Sequence, residues 1–224
     1  MTTTPVYLEV GKKRVFACSV DWPGWCRSGK DEEAALEALA DYAARYVVVA
    51  DRAGKRFSGR AGDDLDVVER VKGSATTEFG APGVVPKLDA APLTAHAAQK
   101  AADLVIASWA VLDSVAKKSP QALRKGPRGG GRDRDKMLQH VISAEAAYAR
   151  KLAVKHKEPA LGDTTAIRAL REDIVDVLRA ARSGDPLREN GWPPRYAARR
   201  IAWHVLDHAW EMEDRRQGSP DGLA

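Results

Sequence analysis

Polar and apolar residues alternate at the start of the chain. In VYLEV (Val6–Val10) and, after a GKK turn, RVFACSV (Arg14–Val20), the two-residue period predicts strands. Phe16, Cys18 and Val20 then share one face. DWPGWCRSG follows as a Pro-Gly turn region. Asp31 is placed to cap a helix over about Glu32–Arg45, where Ala35, Leu36, Leu39, Ala43 and Tyr46 recur at helical spacing. LDVVERV (Leu65–Val71) predicts a third strand, and the Gly- and Pro-rich run Gly73–Pro92 reads as a linker.

Beyond Pro92 the period changes from two to about 3.6. Four amphipathic helices are predicted, over about Leu93–Ala116, Asp133–Val154, Thr164–Arg182 and Pro194–Arg216. Thr164 or Asp163 can cap the third, Gly184 stops it, and Pro194 suits the start of the fourth. Together these patterns predict an α+β protein. A small ββαβ domain (1–74) and a linker (75–91) precede an up-down-up-down four-helix bundle (92–218), with a short tail (219–224).

The net charge of +5 would suggest nucleic acid were it spread over a helix face. It is concentrated instead in Lys117–Lys136, which holds eight basic and two acidic residues among glycines and prolines. A solvated, flexible connector is expected there, and nucleic acid is not the expected partner. The opening MTTTPVYLEV lacks the charged and apolar regions of a signal peptide, and no apolar run approaches a membrane span. Two cysteines are too few for a disulfide framework, so a reducing cytoplasm is the expected location.

The candidate chemistry lies with the histidines. Projected at roughly 100° per residue, Ile201, Val205, His208 and Met212 of the fourth helix share one stripe, and His204 borders it. Trp203 and Trp210 fall on the opposite side and need a partner, either the N-terminal domain or a second subunit of a homodimer. His140 occupies the inward stripe of the second helix with Met137, Ala144 and Ala147. Three imidazoles facing one interior are costly to bury unless a cation shares them, and imidazole suits Zn²⁺, Ni²⁺ or Fe²⁺. Glu211 is placed to approach such an ion, to orient a ligand imidazole, or to pair with Arg215 at i+4. Tyr148 could reach a metal-bound water or substrate, or be a core residue. Glu145 points away and is expected in packing or a salt bridge, and Asp207 on the flank is expected to be structural. His96 reads as a surface residue and His156 as a solvated helix end. Cys18 reads as core and Cys26 as an exposable residue past the turn.

The segments LQHVISAEAAY and RRIAWHVLDHAWEMEDR resemble the DinB/YfiT-like four-helix bundles over about Pro92–Arg216. That superfamily includes thiol-dependent S-transferases and mycothiol-dependent maleylpyruvate isomerases. The resemblance implies that His140, His204 and His208 are metal ligands. It further implies activation of a thiol or water for S-transfer, isomerisation or hydrolysis of a small-molecule substrate, with mycothiol or another low-molecular-weight thiol as a cofactor. The first ninety residues, through VYLEV…RVFACSVDWPGWCRSGKDEEAALEAL, resemble the HicB antitoxin-like fold, without the DNA-binding element that usually follows it. The alternative reading is a non-enzymatic regulatory module in which the HicB-like domain makes the contacts and the bundle is a scaffold.

Overall fold

The computed structural model describes residues 3–126 and 130–216, so the expected 219–224 tail lies outside the described residues. They form an α+β structure with one four-stranded sheet and seven helices. The sheet comprises β1 (Thr4–Val10), β2 (Val15–Ser19), β3 (Cys26–Gly29) and β4 (Leu65–Lys72), in the order β3-β2-β1-β4. β1 and β2 form the expected hairpin, and β4 lies parallel to β1. Such a parallel return needs a crossover, supplied here by α1 (Glu32–Asp41) and α2 (Ala43–Arg52).

Three local features differ from the sequence reading. The Pro-Gly region contains β3, whose Cys26 pairs across the ladder with Cys18. The expected single helix over Glu32–Arg45 breaks at Tyr42 and continues to Arg52. Asp31 caps α1 as predicted, accepting from the Ala34 N–H at 2.9 Å. The valine run in α2 is helical because Ala43, Tyr46, Val49 and Ala50 form one buried face, and that burial outweighs the weak helix propensity of valine. Thirdly, the expected linker is structured. Ser74 caps α3 (Ala75–Phe79), and a 3-10 turn spans Lys87–Ala90. Glu9, fully buried on β1, accepts from the backbone N–H groups of Gly83 and Val84 at 2.9 Å each and from the Thr77 hydroxyl. Asp89, also fully buried, pairs with Arg199.

Four long helices follow: α4 (Ala95–Lys117), α5 (Arg134–Lys151), α6 (Thr164–Ala180) and α7 (Pro194–Arg216). α4 and α5 each pack against both α6 and α7. Residues 152–163 do not turn tightly into α6. They run back along α5, where the Leu161 N–H donates to Gln139 Oε1 at 2.7 Å and Gln139 Nε2 donates to the Pro159 carbonyl at 3.2 Å. The end of α6 then meets the start of α4 through Leu93 N–H to Arg182 O at 2.8 Å. The chain therefore runs up, down, down, up, which corrects the expected up-down-up-down order.

One apolar core joins sheet and helices, from Val6, Leu8, Trp25 and Tyr46 to Leu112, Met137, Ile174 and Ile201. The Trp22–Trp25 turn sits directly on α7. Gly24 has φ +93°, and a Cβ there would lie 2.6 Å from Leu206 Cδ1, so both backbone shape and close approach require glycine. A smaller cluster of Tyr7, Phe16, Cys18, Cys26 and Trp203 fills the space between the other sheet face and α7.

Candidate metal centre

α5 and α7 pack side by side and bring His140 against His204 and His208. One ring nitrogen from each lies within 4.8 Å of the others. His140 Nε2 and His204 Nε2 are 3.2 Å apart. A single N–H···N hydrogen bond, donated by whichever Nε2 carries the proton, can join these two rings. His204 is 7% exposed, and its Nδ1 is buried without a hydrogen-bond partner among the described residues.

Burial and neighbouring charges hold two of the three rings uncharged. Burial, with the charges of Arg132 and His208, pushes His140 down to about 4 from its ordinary 6.5. Burial pushes His204 well below the ordinary value, assisted by His208, Arg200, His140 and Arg132. At neutral pH these two imidazoles are therefore uncharged, each with one nitrogen lone pair, the form a cation requires.

Glu211 contacts both His208 and Arg215. Its Oε2 faces His208 Nδ1 at 3.1 Å, and its Oε1 accepts from Arg215 Nη1 at 2.8 Å. With Nδ1–H donated to the carboxylate, Nε2 of His208 keeps its lone pair; this is the carboxylate–histidine arrangement that orients metal-binding imidazoles. Hydrogen bonding to His208 and Arg215 holds Glu211 below the usual carboxylate range. Tyr148 packs its ring against His204, with centroids 5.6 Å apart, and against Trp192 at 5.0 Å. Burial raises the Tyr148 pKa, so its hydroxyl stays protonated at neutral pH.

Arg215 also ties the basic loop over the end of α7. Its Nε donates to the Arg124 carbonyl at 2.7 Å and its Nη1 to the Arg132 carbonyl at 2.8 Å. Gly131, at φ +110°, lies so close that a Cβ would sit 2.7 Å from Arg215 Cζ. The described parts of the expected flexible connector are thus hydrogen-bonded, and Arg132 is carried towards the histidines.

The remaining sequence candidates separate from the cluster. Glu145 is buried, accepting from Trp109 Nε1 at 2.7 Å and from Arg171 at 3.0 Å. Asp207 pairs with Arg27 at 3.1 Å. His96 is exposed. His156 lies in the loop after α5 and pairs with Asp173 at 2.7 Å, so it is not the solvated helix end expected. Cys26, expected to be exposable, is buried. Trp203 meets Phe16 edge-on at 5.9 Å, and Trp210 meets Tyr42 at 5.2 Å, so the N-terminal residues cover both indoles.

Arg200 escaped the sequence reading. It is buried one turn before His204, with its guanidinium 4.6 Å from the Trp203 ring and 5.1 Å from the Tyr148 ring. Its i−4 spacing from His204 was the available signal. No protein-family model, curated protein or solved structure matches this chain.

Proposed function

We propose that the chain is a metal-dependent enzyme on a DinB/YfiT-like four-helix bundle, with a HicB-like ββαβ unit as an accessory that covers one side of α7. The observation that carries this reading is the convergence of His140, His204 and His208 from two helices, with His140 and His204 held uncharged and the His204 Nδ1 buried without a partner among the described residues. These residues would hold one divalent ion, Zn²⁺, Ni²⁺ or Fe²⁺, and Glu211 orients His208 for that task. Such an ion lowers the pKa of a bound thiol or water, the chemistry needed for S-transfer, isomerisation or hydrolysis, with mycothiol or another low-molecular-weight thiol as the co-reactant. Around it the chain supplies an aromatic wall from Tyr148 and Trp192, which limits water, and a protonated Tyr148 hydroxyl as a hydrogen-bond donor.

Elemental analysis of untagged protein tests this. About one transition metal per chain, lost in the His140→Ala/His204→Ala variant while far-UV circular dichroism is retained, is the expected result. Folded wild-type protein that stays metal-free after zinc, nickel and ferrous supplementation would overturn it.

A further inference from the structure

The sheet carries a second pair of reactive groups on the far side of Trp203. Cys18 of β2 and Cys26 of β3 are free thiols, register partners in an antiparallel ladder, with their sulfurs 2.9 Å apart. The neighbouring hydrogen bond, Ser19 N–H to Trp25 O at 3.0 Å, makes 19 and 25 a hydrogen-bonded pair. Pairs alternate along an antiparallel ladder, so 18 and 26 form a non-hydrogen-bonded pair, whose Cα atoms lie about 4.5 Å apart. That separation falls within the range of natural disulfides, about 4.4–6.8 Å. The two sulfurs can therefore be joined without moving either strand.

We propose that Cys18 and Cys26 are an oxidation site that closes to a reversible intramolecular disulfide when the protein meets a hydroperoxide. The Cys26 thiolate attacks one peroxide oxygen, giving a sulfenic acid and releasing water from hydrogen peroxide or an alcohol from an organic hydroperoxide. The Cys18 sulfur then attacks the sulfenic sulfur, forming the S–S bond and releasing a second water. The two sulfurs together lose two electrons, which reduce the peroxide O–O bond, and a dithiol reductant reverses the change.

Access comes through β3, a four-residue strand at the edge of the sheet. Burial raises the Cys26 thiol well above its ordinary pKa, so the closed state is protected and the opened edge is the reactive form. The bond would close the base of the turn that seats Gly24 against Ala202 and Leu206 of α7. It would also fasten Arg27, which reaches Asp207 on α7 and stacks over Tyr42 at 4.2 Å. Oxidation would thus clamp the sheet onto the helix that carries His204 and His208.

The test treats reduced, full-length protein with hydrogen peroxide, denatures it in iodoacetamide and maps the peptides by mass. The expected product lacks two hydrogens, links the Cys18 and Cys26 peptides, resists alkylation until dithiothreitol is added, and has slower amide hydrogen exchange over Arg27–Gly29. Cys18→Ser and, should it fold poorly, Cys18→Ala are expected to send Cys26 onward to sulfinic acid. Wild-type thiols that remain fully alkylatable in excess peroxide, or that pass to sulfinic acid without cross-linking, would overturn the proposal and identify the pair as inert core residues.

Discussion

Replacing Asp89 with alanine isolates the bond between the connector and α7. Asp89 is fully buried and Arg199 is 7% exposed at its side chain, with Arg199 Nη2 donating to both carboxylate oxygens. Arg199 Nη1 donates to the Val20 carbonyl at 3.2 Å, while its Nε has no partner among the described residues. Burial pushes the Asp89 carboxyl up even though Arg199 pulls it down, whereas Asp89 holds Arg199 in the charged form against its own burial. The pair therefore recovers little beyond its desolvation, but removing one member strands a buried cation. That imbalance typically costs about 3–5 kcal/mol, against little or no loss when both charges become apolar. For a chain of this size the single change should lower Tm by roughly 6–20 °C. Urea unfolding of wild type, Asp89→Ala and Asp89→Leu/Arg199→Met, followed by far-UV circular dichroism, measures both effects. An Asp89→Ala loss below about 1 kcal/mol, or an apolar double variant as unstable as the single one, would refute the reasoning.

Other consequences are as specific. Glu211→Gln should weaken zinc binding by about 10–100-fold, read by competition with a chromophoric chelator; unchanged affinity would remove Glu211 from the orienting role. Metal-free protein should lose stability as pH falls from 6.5 towards 4. The unfolded histidines gain protons in that window while His140, lowered to about 4, and His204, held well below its ordinary value by burial, do not. A urea midpoint that rises on acidification through this window would contradict that sign. Trp203→Ala should cost about 3–5 kcal/mol through lost packing on Phe16 and the small cluster around it, measured by equilibrium unfolding.

Much of the architecture is written in short-range pattern. β4 follows two-residue alternation while β1 and β2 are buried on both faces, α4 and α6 start at recognisable caps, and the inward faces of α5 and α7 carry the three histidines. What stayed hidden depends on contacts between distant positions. β3 is short and exists because β2 offers a ladder, while α2 is helical because its tyrosine, alanine and valine face is buried. The reversal of α6 rests on Gln139 capturing residues 159 and 161, a side-chain event without periodicity. The Asp89–Arg199 pair joins positions far apart in the chain, and Arg200 looked like one more basic residue on a charged helix. Within the site the three histidines that could hold an ion were legible, but the burial that keeps His140 and His204 uncharged, and the nearby charges of Arg132 and Arg200, were not.

The closeness of Trp203 to His204, with ring centroids 6.3 Å apart, gives the protein an internal optical gauge. Zn²⁺ has a filled d shell, so its arrival would change the indole emission only by altering its surroundings. Ni²⁺ or Fe²⁺ has open d levels at the same short range and would quench that emission. Titrating each ion while recording Trp203 fluorescence, with Trp203→Phe as the blank, would distinguish the occupant by light and return a binding curve from the same cuvette.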